Sequence, residues 1–208
     1  NLYDILIVGT SAHSLWNFRG DLIKSIIKSK KNILTVSSFG TIYDQNNILE
    51  NGSDHINKHI INSKLTPFND IRYIIFLIYL YFKYKPKVII SYTIKAVIYS
   101  GIANFIFSKN FYPIITGIGN NFIDGKKLFK QKITNRLISI LYRISIKRSN
   151  LVFFQNNDDK IFFQNYKIIN SANKLKIING SGVNLSKYKE SRFPKEISFT
   201  LASRIIKN

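Results

Sequence analysis

The chain contains no cysteine and no methionine, four prolines, three histidines and only 11 acidic residues among 208. Without cysteine there is no disulfide framework, no thiolate-ligated zinc and no cysteine nucleophile. His13, His55 and His59 are too few for a histidine-rich metal centre, so no metal is expected. Long apolar runs are missing as well. The longest, Tyr73 to Phe82, is ten residues, about half of what a bilayer-spanning helix needs. No secretory leader pattern opens the chain: Asn1-Leu2 leads straight into Asp4-Ile5-Leu6-Ile7-Val8-Gly9, without a basic segment or a small-residue cleavage site. A cytoplasmic location is the expectation.

What is abundant is cation and isoleucine. The 31 Lys+Arg give a formal charge of +20. The 38 Ile, 24 Lys and 23 Asn are residues of A/T-rich codons, which accounts for part of the lysine excess. The remainder suits an anionic membrane surface, a phosphorylated substrate or nucleic acid. Apolar residues make up 45% of the chain, too many for a disordered basic tail.

Short apolar runs alternate with segments of helical period. Strands are expected at Ile5–Val8, Ile33–Ser37, Lys58–Ile61, Val88–Ser91, Tyr112–Ile115, Leu151–Phe154 and Leu175–Ile178. Most are apolar throughout, as when helices cover both faces of a parallel sheet. Helical stripes follow Leu22, Ile23, Ile26 and Ile27, then Ile71, Ile74, Ile75 and Ile78. Leu137, Ile140, Leu141 and Ile144 form the cleanest i, i+3, i+4, i+7 series. Asn156 followed by Asp158 and Asp159 reads as a cap with acids in the first turn. The expected class is α/β, a Rossmann-like doubly wound parallel sheet with right-handed crossovers. A (β/α)₈ barrel would need about 250 residues and eight units.

The pattern changes after Ile178. Residues 1–183 read as one domain and 184–195 as a linker. Residues 196–208 read as the first strand, Ile197–Ala202, of a second domain. With no initiator methionine and a strand begun so late, the chain reads as clipped at both ends.

Ligands of doubly wound sheets bind at the carboxyl ends of the strands. After the first strand, Ser11, His13, Asn17 and Arg19 offer hydroxyl, imidazole, amide and guanidinium beside a helix start, which suits a polar or anionic ligand. An ordinary loop histidine and a solvated arginine are the plain alternatives. The loop lacks GxGxxG, which disfavours a dinucleotide. After the fourth strand, Thr93 and Lys95 fall where a helix begins, as ligand groups or as a cap and a surface lysine. After the fifth, Gly117 and Gly119 allow close backbone approach, or simply make a tight turn. No G-x-S-x-G elbow and no P-loop is present.

The cations cluster. Lys126 to Arg148 holds eight and no acid, interleaved with apolar residues, and Arg72 to Lys87 mixes cations with six aromatic residues. Such a face suits an anionic leaflet. The alternative is a buried helix with a solvated lysine fringe. No recognisable nucleic-acid-binding motif accompanies it, so no nucleic acid is expected as a partner.

Six segments in one order, "SLWNFRGDLIKSI", "SYTIKAVIYSGIA", "ITGIGNNFI", "VFFQNNDDKIFF", "IINGSGVNLSKY" and "FTLASRIIK", carry a resemblance spanning Asp4 to Asn208. The chain resembles the N-terminal half of bacterial family 4 glycosyltransferases of the GT-B fold. It is similar to those that build capsule, O-antigen (lipopolysaccharide) or lipid-linked oligosaccharides. The resemblance implies an acceptor-binding domain, carrying Ser11, His13, Asn17, Arg19, Thr93, Lys95, Gly117 and Gly119. A donor domain would follow, in which Arg204 offsets charge on the leaving nucleotide diphosphate. The implied partners are a nucleotide-sugar co-substrate, a polyprenyl-diphosphate-linked saccharide acceptor and the inner face of the plasma membrane. Neither cofactor nor metal is implied, and retention of configuration is. No catalytic group is assigned, His13 being the one candidate for the acceptor hydroxyl. Asn184 stands where the family has Asp, Ala96 where Pro often follows "TIK", and the first loop lacks paired glycines. Rival readings are a non-catalytic nucleotide- or phosphate-binding α/β module and a basic nucleic-acid-binding protein.

Overall fold

In the computed structural model, the described residues are 2–38, 40–50, 52–61, 66–119, 129–170, 173–186, 188, 190, 192 and 195–201. Seven strands and six helices follow one another: β1 (Ile5–Ser11), α1 (Ala12–Lys28), β2 (Ile33–Ser38), α2 (Ile42–Glu50), β3 (Asp54–Asn57), α3 (Pro67–Tyr84), β4 (Val88–Tyr92), α4 (Ile94–Phe107), β5 (Asn110–Ile115), α5 (Phe129–Ile146), β6 (Val152–Phe154), α6 (Asn157–Asn165) and β7 (Leu175–Ile177). The strands form one sheet in the order β3-β2-β1-β4-β5-β6-β7, every pair parallel. This is the doubly wound α/β class that the alternating pattern implies.

The apolar runs explain the layering. Along β1, Leu6 and Val8 point into one core with α3, α4 and α5, while Ile7 points into a second core with α1. A strand buried on both faces has no solvent face to make polar. The order reverses between β1 and β4, so the connections leaving their carboxyl ends run to opposite faces of the sheet, the arrangement in which doubly wound sheets bind ligands.

Three expectations need correction. The third strand is Asp54–Asn57, not Lys58–Ile61: it pairs with Leu34–Ser37 at the sheet edge, where Ile56 is its one apolar contribution. Ile60 is buried beyond the strand's end and donates its amide to Ser38 Oγ at 3.0 Å. On α5, Leu137, Ile140 and Ile144 are more than 40% exposed, whereas Ile138, Tyr142 and Ile146 are buried. The core face of α5 carries Ser139 and Ser145 because Ser145 meets Gly101 of α4 backbone to backbone, leaving no room for a Cβ at Gly101. On α3, Ile71 and Ile75 are exposed, and Tyr73, Leu77, Leu80 and Tyr81 face inward.

Asn156 caps α6 as expected, accepting from Asp159 N at 2.7 Å, with Asp158 and Asp159 in the first turn. Residues 197–201 pair with no strand of the sheet, and Ile197, Phe199 and Leu201 are exposed.

Candidate functional site

The switch point between β1 and β4 is marked by one close approach. Gly9 of β1 lies beneath the Tyr92 phenol that ends β4, and a Cβ at Gly9 would collide with that ring. Only glycine lets the two strands approach so closely at this point.

Ser11 caps α1, its Oγ accepting from Ser14 N at 3.2 Å. Two residues on, His13 is largely exposed, and its Nδ1 lies 3.1 Å from Oδ1 of Asp44, a carboxylate only 3% exposed. Asn17 Nδ2 approaches the same ring at 3.0 Å from Nε2. Asp44 is held by Thr41, whose amide and hydroxyl donate to Oδ2 at 3.1 and 2.9 Å. In return the Asp44 amide donates to Thr41 Oγ1, closing α2 as a capping pair. Burial pushes the Asp44 carboxyl up, but the Thr41 donors and His13 outweigh it and hold the group below the usual carboxylate range. A buried carboxylate thus orients an exposed imidazole in the first turn of α1. Asp44 was absent from the sequence-based candidates. The Thr41-x-x-Asp44 spacing marks a helix start, but nothing local to it points to His13.

Arg19 is not a solvated helix residue: it is 4% exposed. Its Nη1 donates to Phe18 O at 3.0 Å and to Ser181 Oγ at 2.9 Å. Its guanidinium stands 5.0 Å over the Tyr92 ring. Burial pulls its pKa below the ordinary arginine value, countered by Tyr92. Gln155 Nε2 also donates to Ser181 Oγ, at 3.4 Å. The turns after β6 and β7 are thereby drawn over α1.

Thr93 and Lys95 sit side by side in sequence but act apart. Thr93 carries φ +71°, ψ 151°, a strained conformation for a β-branched residue. Its Oγ1 is buried with no partner among the described residues and does not cap α4. Lys95 is engaged by α3, its Nζ 2.9 Å from Oδ1 of Asp70, with both side chains nearly buried. Asp70 also accepts from Thr66 N and Oγ1. Gly119, at φ +79°, presses on Ile94, the first residue of α4: a Cβ there would lie 2.5 Å from Ile94 Cδ1. Gly117 (φ +137°) faces open space. The structure therefore joins His13 and Asn17 to Asp44, leaves Ser11 as the cap of α1, joins Arg19 to the Ser181 turn, and leaves Lys95 engaged by α3. Arg204 lies outside the described residues. Among those residues no cluster of His, Asp or Glu could hold a metal ion.

A second surface stands out. α4 lies between α3 and α5, and outward from this layer project Phe68, Ile71, Ile75, Tyr79 and Phe82 of α3 with Ile133, Leu137, Ile140 and Ile144 of α5. On α3 the spacing is 3-4-4-3, one continuous stripe. Arg72, Lys83, Lys132, Arg136 and Arg143 flank these stripes, and the sole acid of the three helices is Asp70, already paired with Lys95. An open groove of about 560 Å³ between Lys132, Arg136, Arg143 and Tyr166 runs along α5. No described helix is long and apolar enough to cross a membrane.

No protein-family model and no curated protein matches the chain. Solved structures do. A glycosyltransferase from Rickettsia africae ESF-5 superposes with a TM-score of 0.61 at 17% identity, over 86% of this chain and 43% of that one. Anabaena HepE in complex with UDP and glucose gives 0.62 at 15%, over 91% and 47%. The UDP-GlcNAc 2-epimerase of Methanocaldococcus jannaschii gives 0.56 at 13%, over 85% and 45%. The chain spans less than half the length of each, and its fold is that of one Rossmann-like half of a GT-B glycosyltransferase.

Proposed function

We propose that this chain is the acceptor side of a glycosyltransferase, moving a sugar from a nucleotide-sugar donor to a polyprenyl-diphosphate-linked saccharide. The observation that carries the reading is the set of polar side chains on α1 beside the β1/β4 switch point. There one helix, α1, carries a carboxylate-held imidazole and a buried guanidinium on a GT-B-like half-fold. In this reading His13, Asn17 and Ser11 meet the acceptor saccharide, and the turn of Gly117 and Gly119 with Thr93 lines the acceptor site beside them. Residues 184–195 lead into a donor-binding domain begun by 196–208, with Arg204 on the nucleotide diphosphate. Transfer proceeds with retention and without a metal, basic side chains offsetting the leaving charge.

The apolar, acid-poor face of α3 and α5 rests on the inner leaflet, where a lipid-linked acceptor for capsule or lipopolysaccharide would be met. Apolar side chains supply insertion and the flanking cations supply attraction to anionic lipid.

The test is flotation with phosphatidylglycerol vesicles with and without an undecaprenyl-diphosphate-linked saccharide. Binding should weaken with salt and strengthen when the acceptor is present. Equal binding to both vesicle types would remove the acceptor role. Incubated alone with UDP-sugars and the same acceptor, the 208-residue chain should turn over nothing. Measurable transfer would contradict the division of labour between two domains.

A further inference from the structure

Arg19 is a cation in the wrong place for structure alone. A guanidinium stays charged at every accessible pH, and burying it is costly unless a counter-charge or a full set of acceptors meets it. Among the described residues no carboxylate lies within ion-pair distance of Arg19. Nη1 is satisfied by Phe18 O and Ser181 Oγ. Nε is buried and without a partner, and no described group accepts from Nη2. Nε and Nη2 share one edge of the planar group, the edge that takes an oxyanion through two parallel hydrogen bonds.

The surroundings are consistent with that use. Ser181 Oγ accepts from both Arg19 and Gln155, so the proton of its hydroxyl remains to be donated. Ser181 is exposed and flanked by Gly180 and Gly182, at φ +67° and +73°, with no atom against either Cβ position. All of this lies at the strand-order reversal, above Tyr92 of β4 and beneath the turn after β7.

We infer that Arg19, Ser181 and Gln155 form a seat for a phosphate-type oxyanion, a diphosphate in the transfer reaction proposed above. The seat itself follows from charge and hydrogen bonding. Its diphosphate occupant rests on the glycosyltransferase reading, and could come from the nucleotide of the donor or from the prenyl diphosphate of the acceptor.

Trp16, the single tryptophan, lies on α1 one turn before Gly20 and contacts it, so its fluorescence reports on this helix. The 208-residue chain is titrated at low salt with inorganic pyrophosphate, UDP and farnesyl diphosphate, with ³¹P NMR as a second readout. Saturable pyrophosphate binding is expected, weakened about 10-fold or more in Arg19→Gln and only partly restored in Arg19→Lys, which keeps the charge but loses the fork. Lys147→Gln, at the far end of α5, controls for general charge and should change affinity less than about twofold. Ser181→Ala and Gln155→Ala, which leave the core untouched, should each weaken binding several-fold and carry the test if Arg19→Gln does not fold. Absence of saturable pyrophosphate binding, or equal losses in Arg19→Gln and Lys147→Gln, would overturn the seat. UDP binding tighter than farnesyl diphosphate assigns the seat to the donor, and the reverse order to the acceptor. If neither exceeds pyrophosphate while Arg19 dependence holds, the seat stands and the transfer reading falls.

Discussion

Replacing Asp70 by asparagine should separate a folding role for Lys95 from a ligand role. Lys95 Nζ and Asp70 Oδ1 are 2.9 Å apart, with side chains 9% and 14% exposed, and the pair fastens the first turn of α3 to the first turn of α4. Removing one partner of a buried pair leaves an uncompensated charge, which typically costs about 3–5 kcal/mol. The residual exposure of both groups lowers that to roughly 2–4 kcal/mol for Asp70→Asn. Lys95→Met should cost less, about 1–2 kcal/mol, because Asp70 keeps its bonds from Thr66. The double variant should fall short of the sum by at least ~1 kcal/mol. For a chain of this size the Asp70→Asn loss corresponds to a melting shift of roughly 6–12 °C.

The pH dependence has a definite sign. Burial raises the Asp70 carboxyl, but Lys95, the Thr66 amide, the Tyr99 phenol and the Thr66 hydroxyl outweigh it and leave it below the ordinary carboxylate value. Its contribution is therefore fully present above the unfolded-state value near pH 4 and is lost as pH falls through the lower folded-state value. Urea unfolding of wild type, both single variants and the double variant at pH 7 and at pH 3 measures all of this. A change within ±0.5 kcal/mol for Asp70→Asn at pH 7, or a gap that does not narrow on acidification, would refute the buried-pair account. Lys95 would then be free for a ligand.

Other expectations follow from single contacts. Gly101→Ala places a methyl against the Ser145 backbone at the α4–α5 crossing and should cost about 1–3 kcal/mol by overpacking, read from the urea midpoint at unchanged slope. His55 is held by Thr35 Oγ1 at 2.9 Å, and burial pushes its pKa down to about 4. The unfolded chain therefore binds a proton between about pH 6.5 and 4 that the folded chain refuses, and stability falls across that window by roughly 2–3 kcal/mol. In His55→Gln that stretch of the pH–stability curve should be flatter, and an unchanged slope would count against the buried imidazole. Serine at Ile75, Tyr79 and Phe82 together should leave the melting temperature within about 2 °C, because these side chains face outward. It should also reduce binding to phosphatidylglycerol vesicles at least ~10-fold. Undiminished flotation would exclude this face as the membrane contact.

The residues differ in how far they announced their roles. Gly9 and Gly119 are glycines for reasons of close packing against Tyr92 and Ile94, neighbours that no local pattern names. Thr41-x-x-Asp44 announces a helix start but not the imidazole that Asp44 holds, because the two come from turns after different strands. α5 shows the trap in periodicity. A helix that approaches its neighbour through Gly101 and Ser145 interleaves small residues with Ile138, Tyr142 and Ile146 on its core face, and the most regular apolar stripe is the one left outside. β3 escapes the pattern for a related reason, since an edge strand with one apolar, half-buried side chain looks polar.

By itself the sequence determined the alternation of apolar runs with helical segments, and from it a parallel α/β sheet, since strands buried on both faces need helices on both sides. It also determined the sign of the charge and the exclusion of thiol chemistry. Only the tertiary structure decided which cations are surface and which are buried. His13 meets Asp44 across 31 residues, Lys95 meets Asp70 across 25, and Arg19 meets Ser181 across 162. Such partners are set by strand order and helix packing. Sequence spacing carries no information about them once a crossover intervenes.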